Sequence, residues 1–199
     1  MLLDSYGSSP MNGSIRRTVY FERPGKENTD ETLMLAVEMA EELGIRNVVV
    51  ASSSGETGVT ASRVFIGYNL VVVTSVVGYL KPNEVRMNLD NRREIESNGG
   101  IIVTAAHAFG ALGRAVHGRF GAIQIDEVVA NVLRLFSEGV KVACEIACMA
   151  VDAGHFRTDE EAIAIGGEGG GADTAIVLQP SNTHTFFETR IREIICKPR

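Results

Sequence analysis

Val48-Val49-Val50-Ala51-Ser52-Ser53-Ser54-Gly55-Glu56-Thr57 decides how this chain is read. An unbroken valine run of strand character enters a turn of three serines and a glycine, and a helix-like stretch from Thr57 to Ile66 leaves it. Strand, hydroxyl-rich turn, helix start is the layout of an anion site. The serine hydroxyls and the unhindered N–H groups at the positive end of a helix suit a phosphate or carboxylate. The same residues also suit a plain helix cap, which Ser54 and Gly55 would provide. The turn lacks the lysine of a P-loop and is shorter than one.

The flanking sequence repeats the alternation of strand and helix. Val19-Tyr20-Phe21 reads as a strand closed by Arg23-Pro24-Gly25, and Asn28 with Glu31 three residues on resembles a capping box. Leu33, Ala36, Val37, Ala40 and Leu43 then recur at helical spacing until Gly44. Arg46 to Ala51 and Leu70 to Ser75 read as strands on either side of the 57–66 helix, which makes a βαβ unit. Pro82 to Asn98 is polar and helical in its second half, and Gly99-Gly100 introduces a strand from Ile101 to Thr104. Ala105 to Gln124 carries four glycines without a sustained period and reads as a long, partly helical loop, a kind of segment that usually serves function.

Asp126 to Ala153 is helical, with Val129, Val132, Leu133 and Phe136 on one stripe and a break near Ser137-Glu138-Gly139. Ala162 to Ile165, Ala175 to Leu178 and Phe186 to Cys196 read as closing strands, so the sheet acquires an antiparallel or mixed C-terminal edge. The class is α/β with a mainly parallel sheet, one domain from residue 15 to 199 behind an extension at 1–14. An exposed final strand would favour a homo-oligomer.

A net charge of -6 and a pI near 5.3, with Lys and Arg scattered, speak against nucleic-acid binding. No apolar run is long enough for a membrane span, and the N-terminus lacks a signal-peptide pattern. Cys144, Cys148 and Cys196 have neither disulfide nor zinc spacing, which suits a reducing cytoplasm and small core residues. The expected partner is a small molecule.

Gly167, Gly169 and Ala172 have GxGxxA spacing, but a strand follows instead of a helix, so the context of a dinucleotide fold is missing. That turn is either a strand connection or a backbone surface for a flat ring. His107, Arg114, His117 and Arg119 stand among glycines at the carboxyl end of a parallel strand, where open α/β sheets bind ligands. Glu145, alone among apolar neighbours, either faces outwards, pairs with Lys141 one turn earlier, or serves a ligand. Tyr20 and Phe21 fill a buried strand or stack on an aromatic ring.

The run from Arg46 to Thr57 resembles the strand and Ser-Gly turn that open the C-terminal domain of pyruvate kinases. A fuller resemblance, covering nearly everything after Ile15, is to stand-alone, mainly archaeal proteins with that domain's fold. It rests on Tyr20 to Thr29, Ser54 to Thr57, Gly113-Arg114, Arg119-Phe120-Gly121, Lys141-Val142, Glu145-Ile146-Ala147, Ile163 to Gly167 and Ala172 to Ala175. The resemblance implies a three-layer α/β/α domain with a phosphate held at Ser52, Ser53, Ser54, Gly55, Glu56 and Thr57, where pyruvate kinases hold a phosphate of their sugar bisphosphate activator. It also implies flavin mononucleotide (FMN) as the ligand, with His107, Gly110, Gly113, Arg114, Phe120, Gly121, Gly166 and Gly167 around it. Arg114 or Arg119 would pair with phosphate, and Glu56 would repel it unless turned outwards.

Two functions follow: a flavoprotein, as an oxidoreductase of unnamed substrate, or a non-catalytic sensor of a phosphorylated metabolite. Pyruvate kinase activity is not expected, since that chemistry resides in a barrel domain this chain is too short to contain.

Overall fold

The computed structural model describes residues 13–199, so the expected extension at 1–14 falls almost wholly outside the described residues. The strands are β1 (Val19–Phe21), β2 (Asn47–Ala51), β3 (Asn69–Thr74), β4 (Ile101–Thr104), β5 (Ala162–Gly166), β6 (Thr174–Gln179) and β7 (Arg190–Pro198). The helices are α1 (Thr29–Leu43), α2 (Glu56–Val64), α3 (Leu89–Ser97), α4 (Leu112–Phe120), α5 (Ile125–Arg134) and α6 (Glu138–Asp152). One sheet takes the order β1-β7-β6-β5-β2-β3-β4, with β6 antiparallel to both neighbours and every other pair parallel.

The valine run explains the layering. Val48 and Val50 point to a core shared with Leu33, Ala36 and Ala40 of α1, Val59 and Ala61 of α2, and Ile95 of α3. Val49 points to the opposite core, built with Ala130 of α5 and Ala143, Ala147 and Ala150 of α6. Alternate side chains thus seal both faces, which is why the strand is hydrophobic without interruption. The fold is a three-layer α/β/α sandwich with a mainly parallel sheet and an antiparallel C-terminal side.

Several local expectations change. Asn28 does not cap α1: its side chain donates to the Arg23 and Gly25 carbonyls, at 2.9 and 3.3 Å, and so fastens a 3₁₀ turn over Lys26–Asn28. β7 starts at Arg190 instead of Phe186, because Thr183–Glu188 forms a 3₁₀ segment that turns Phe186 edge-on against Phe109, 4.9 Å away. The final strand is not a rim either. β1 pairs alongside β7, so the edges of the sheet are β4 and the three-residue β1. The stripe expected on α5 divides, with Val129 and Leu133 packed inwards and Val132 and Phe136 outwards. Among the described residues no helix is long and apolar enough to cross a membrane.

Candidate functional site

β2 and β5 lie side by side and parallel, yet the chain leaves them in opposite directions. β2 runs into α2 and on to β3, whereas β5 turns back into β6. Such a switch point leaves a crevice beyond the carboxyl ends of the strands. The serine loop and the glycine turn 166–171 are its two walls.

Short-range bonds fix the serine loop. Ser52 is buried, donates its N–H to the Val73 carbonyl at 2.9 Å, and accepts the Gly58 N–H on its hydroxyl at 2.9 Å. Ser53 O accepts from the Thr74 hydroxyl, while Ser54 O accepts from Asn88 N–H and the Asn91 amide, both at 3.1 Å. Gly55 sits at φ +95, and a Cβ there would lie 2.6 Å from that of Asn91, so this position requires glycine. Ser54 reaches the Glu56 N–H only at 3.4 Å. Among the described residues the N–H groups of Ser53, Ser54, Gly55 and Thr57 meet no protein acceptor. The hydroxyl that satisfies a helix donor is therefore Ser52, while Ser54 is exposed.

The opposite wall is a held turn. Asp173, fully buried, accepts the N–H groups of Gly25 and Glu168 on Oδ2, each at 3.1 Å, and the Thr174 hydroxyl on Oδ1 at 2.7 Å. The Thr29 hydroxyl accepts from Ala172 N–H at 3.0 Å. Gly169, Gly170 and Gly171 follow one another at φ +70, +103 and +73, a backbone path that side chains would strain. Between the walls is a cleft of about 390 Å³, lined by Ser52, Ser53, Ser54, Thr57, Gly167 and Gly169 to Gly171, with Arg86 at its rim.

A second, inner cavity of about 220 Å³ adjoins it through Ala51, Ser53 and Val142. Here the Lys141 ammonium donates to Glu145 Oε2 at 2.5 Å, and the Phe109 N–H donates to Glu145 Oε1 at 2.8 Å. The pair predicted from spacing is present, but it is buried, with both side chains 7% exposed. His107 stacks on Tyr79 with ring centroids 5.3 Å apart, and Val76 N–H points at its Nε2 from 3.5 Å. Burial pushes the imidazole below its usual range; Glu145 pulls it back up, and Lys141 and Arg114 push it further down. Arg114 donates to the Tyr79 hydroxyl at 3.0 Å.

A family model described as pyruvate kinase, alpha/beta domain matches residues 30–178. The chain belongs to that family. The match spans β2 through β6 and hence both walls of the crevice.

Within this pyruvate kinase α/β domain the predicted site residues part company. Ser52, Ser53, Ser54, Thr57 and Gly167 line the outer cleft, and His107 and Arg114 the inner cavity. Gly55 is buried beneath the loop; Glu56 is exposed and does not line the cleft. Gly110 lines a separate hollow between α4 and α5, under the Arg114 guanidinium. Gly113 abuts Asp126, Gly121 ends α4 in a left-handed conformation, and Phe120 is 74% exposed, so these three line neither cavity. Gly166 is buried against the start of α6, where a Cβ would meet Gly139 O at 2.6 Å.

Sequence reasoning missed Ser75, Tyr79 and Arg86, and did not place Lys141 and Glu145 in a cavity. Arg86 lies in the polar segment after Pro82 and Tyr79 in the short loop before it, and only the packing of these loops beside the serine loop brings them to the cavities.

Proposed function

We propose that the outer cleft binds the phosphate of a small phosphorylated ligand. The reading rests on one observation above all: among the described residues the N–H groups of Ser53, Ser54, Gly55 and Thr57, in the serine loop and the first turn of α2, have no protein acceptor, in a cleft that two serine hydroxyls and Arg86 also line. Anions at a helix start gain from the dipole as well as from the donors. Glu56, turned to solvent, does not oppose this. Arg86 takes the role expected of Arg114 or Arg119, since it lines this cleft and they do not.

FMN is the ligand we favour. Its phosphate fits the donor set of the serine loop, and the side-chain-free run Gly169 to Gly171 offers a backbone wall to a flat ring. When bound, the flavin would supply electron transfer, and the protein would supply anchoring and orientation. The test is to purify the protein, look for flavin absorbance and titrate the apoprotein with FMN. Arg86→Ala should weaken uptake about tenfold, the value of one charge-assisted hydrogen bond. Protein that is colourless and ignores FMN removes the flavin from this reading.

The second reading is a sensor for a phosphorylated metabolite, favoured by membership of a family named for a pyruvate kinase domain. It needs no reacting group. A thermal-shift panel separates the two, because the true ligand raises Tm by mass action. Sugar phosphates that raise Tm where FMN does not would establish the sensor.

A further inference from the structure

Two buried side-chain oxygens lack a hydrogen bond among the described residues, Ser75 Oγ and Glu193 Oε2. The second lies 3.6 Å from the Arg16 guanidinium and so faces a charge partner. Ser75 has none, is 6% exposed, and lines the inner cavity. A buried hydroxyl without a partner is costly, and its usual explanation is a ligand or a bound water.

The surrounding groups define what it would bind. Lys141 has three N–H donors and spends one on Glu145, whose two oxygens are both engaged. With Nε2 of His107 accepting from Val76, the neutral ring carries its proton on Nδ1. Arg114 keeps further N–H donors beyond the one it gives to the Tyr79 hydroxyl, while Arg134 is taken up by Glu138, the other carboxylate of the lining. The spare capacity of the cavity is donor-rich, so it matches an acceptor oxygen.

We infer that the inner cavity is a second subsite, taking a carbonyl or carboxylate oxygen of the same molecule whose phosphate sits at the serine loop. This rests on the phosphate reading above. The ligand class is then a phosphorylated compound with an acceptor oxygen at its other end, and FMN and short phosphorylated carboxylates share that chemistry. Ala51, Ser53 and Val142 line both cavities, so the two subsites are neighbours, as a single ligand with an oxygen at each end requires.

Calorimetric titration with inorganic phosphate, 2-phosphoglycolate and FMN tests it on wild type, Ser75→Ala and Arg86→Ala. Ser75→Ala should weaken 2-phosphoglycolate or FMN by about fivefold or more. It should leave inorganic phosphate unchanged and not lower Tm. Loss confined to FMN identifies a flavin carbonyl, and loss confined to 2-phosphoglycolate a carboxylate. Unchanged affinity for both overturns the subsite while leaving the phosphate reading intact, and so does a Tm lowered by several degrees, which marks Ser75 as structural. Inorganic phosphate binding that is indifferent to Arg86→Ala overturns the phosphate reading itself, and no binding of any probe overturns both.

Discussion

Replacing Lys141 by Met strips the counter-ion from Glu145 while keeping the volume and length of the side chain. Glu145 is 5% exposed and retains only the Phe109 N–H, 2.8 Å away. An ion pair 4 Å apart is worth about 4 kcal/mol at an effective dielectric of about 20, and breaking a buried pair from one side typically costs about 3–5 kcal/mol. Against a native stability of about 5–15 kcal/mol this is a severe loss. At about 2–4 °C per kcal/mol for a chain of this size, Tm should fall by about 6–20 °C. The double variant Lys141→Met/Glu145→Gln removes both charges and keeps an acceptor for Phe109, so it should return to within about 1–2 kcal/mol of wild type. Urea unfolding followed by circular dichroism at neutral pH measures all three proteins. A single variant within about 1 kcal/mol of wild type, or a double variant no better than the single, would refute the burial argument.

Three further outcomes are expected. Because burial holds His107 below its ordinary 6.5, the unfolded chain takes up that proton first. Its contribution to stability is whole above pH 6.5 and is lost as pH falls through the folded value, so His107→Gln should flatten the acid limb of the urea midpoint below pH 6.5. Gly166→Ala drives a Cβ to 2.6 Å from Gly139 O and 3.1 Å from Ala143 N, both backbone, and should cost about 1–3 kcal/mol by displacing the start of α6; a midpoint equal to wild type contradicts this packing. Burial pushes the thiols of Cys144 and Cys148 up to about 12 and that of Cys196 to about 11. Iodoacetamide should therefore leave all three unmodified in the native protein and alkylate all three in urea, read by mass.

The serine loop was legible because its parts are contiguous: seven residues carry the turn, the hydroxyls and the helix start. The valines that feed it were legible for the same reason, since a strand sealed on both faces has no polar position to spend. Misreadings fell where a distant partner decides. Asn28 has the spacing of a cap, yet the Arg23–Gly25 loop competes for its amide. Phe186 continues an apolar alternation, yet the ring of Phe109 pulls it into a turn. The last strand looked like an edge because nothing near residue 198 in sequence announces that β1, some 180 residues earlier, pairs with it.

Lys141 and Glu145 show the limit most clearly. Their i,i+4 spacing fixes who pairs with whom, since a helix brings those positions together wherever it lies. It does not fix whether the pair is solvated. That depends on α6 being wedged between the sheet and α5, so that 12 of its 15 residues are buried. The consequence is chemical. On a surface such a pair contributes little, whereas here it holds a charged donor in the lining of a cavity that the unpartnered Ser75 hydroxyl shares. The inner cavity is drawn from the ends of β2 and β3, the Tyr79 segment, the His107 loop beyond β4 and α6, and no window of sequence contains it. The anchor proposed for a phosphate is thus written locally in the chain, while the groups that would discriminate among phosphorylated ligands exist only once β2, β3 and α6 have packed.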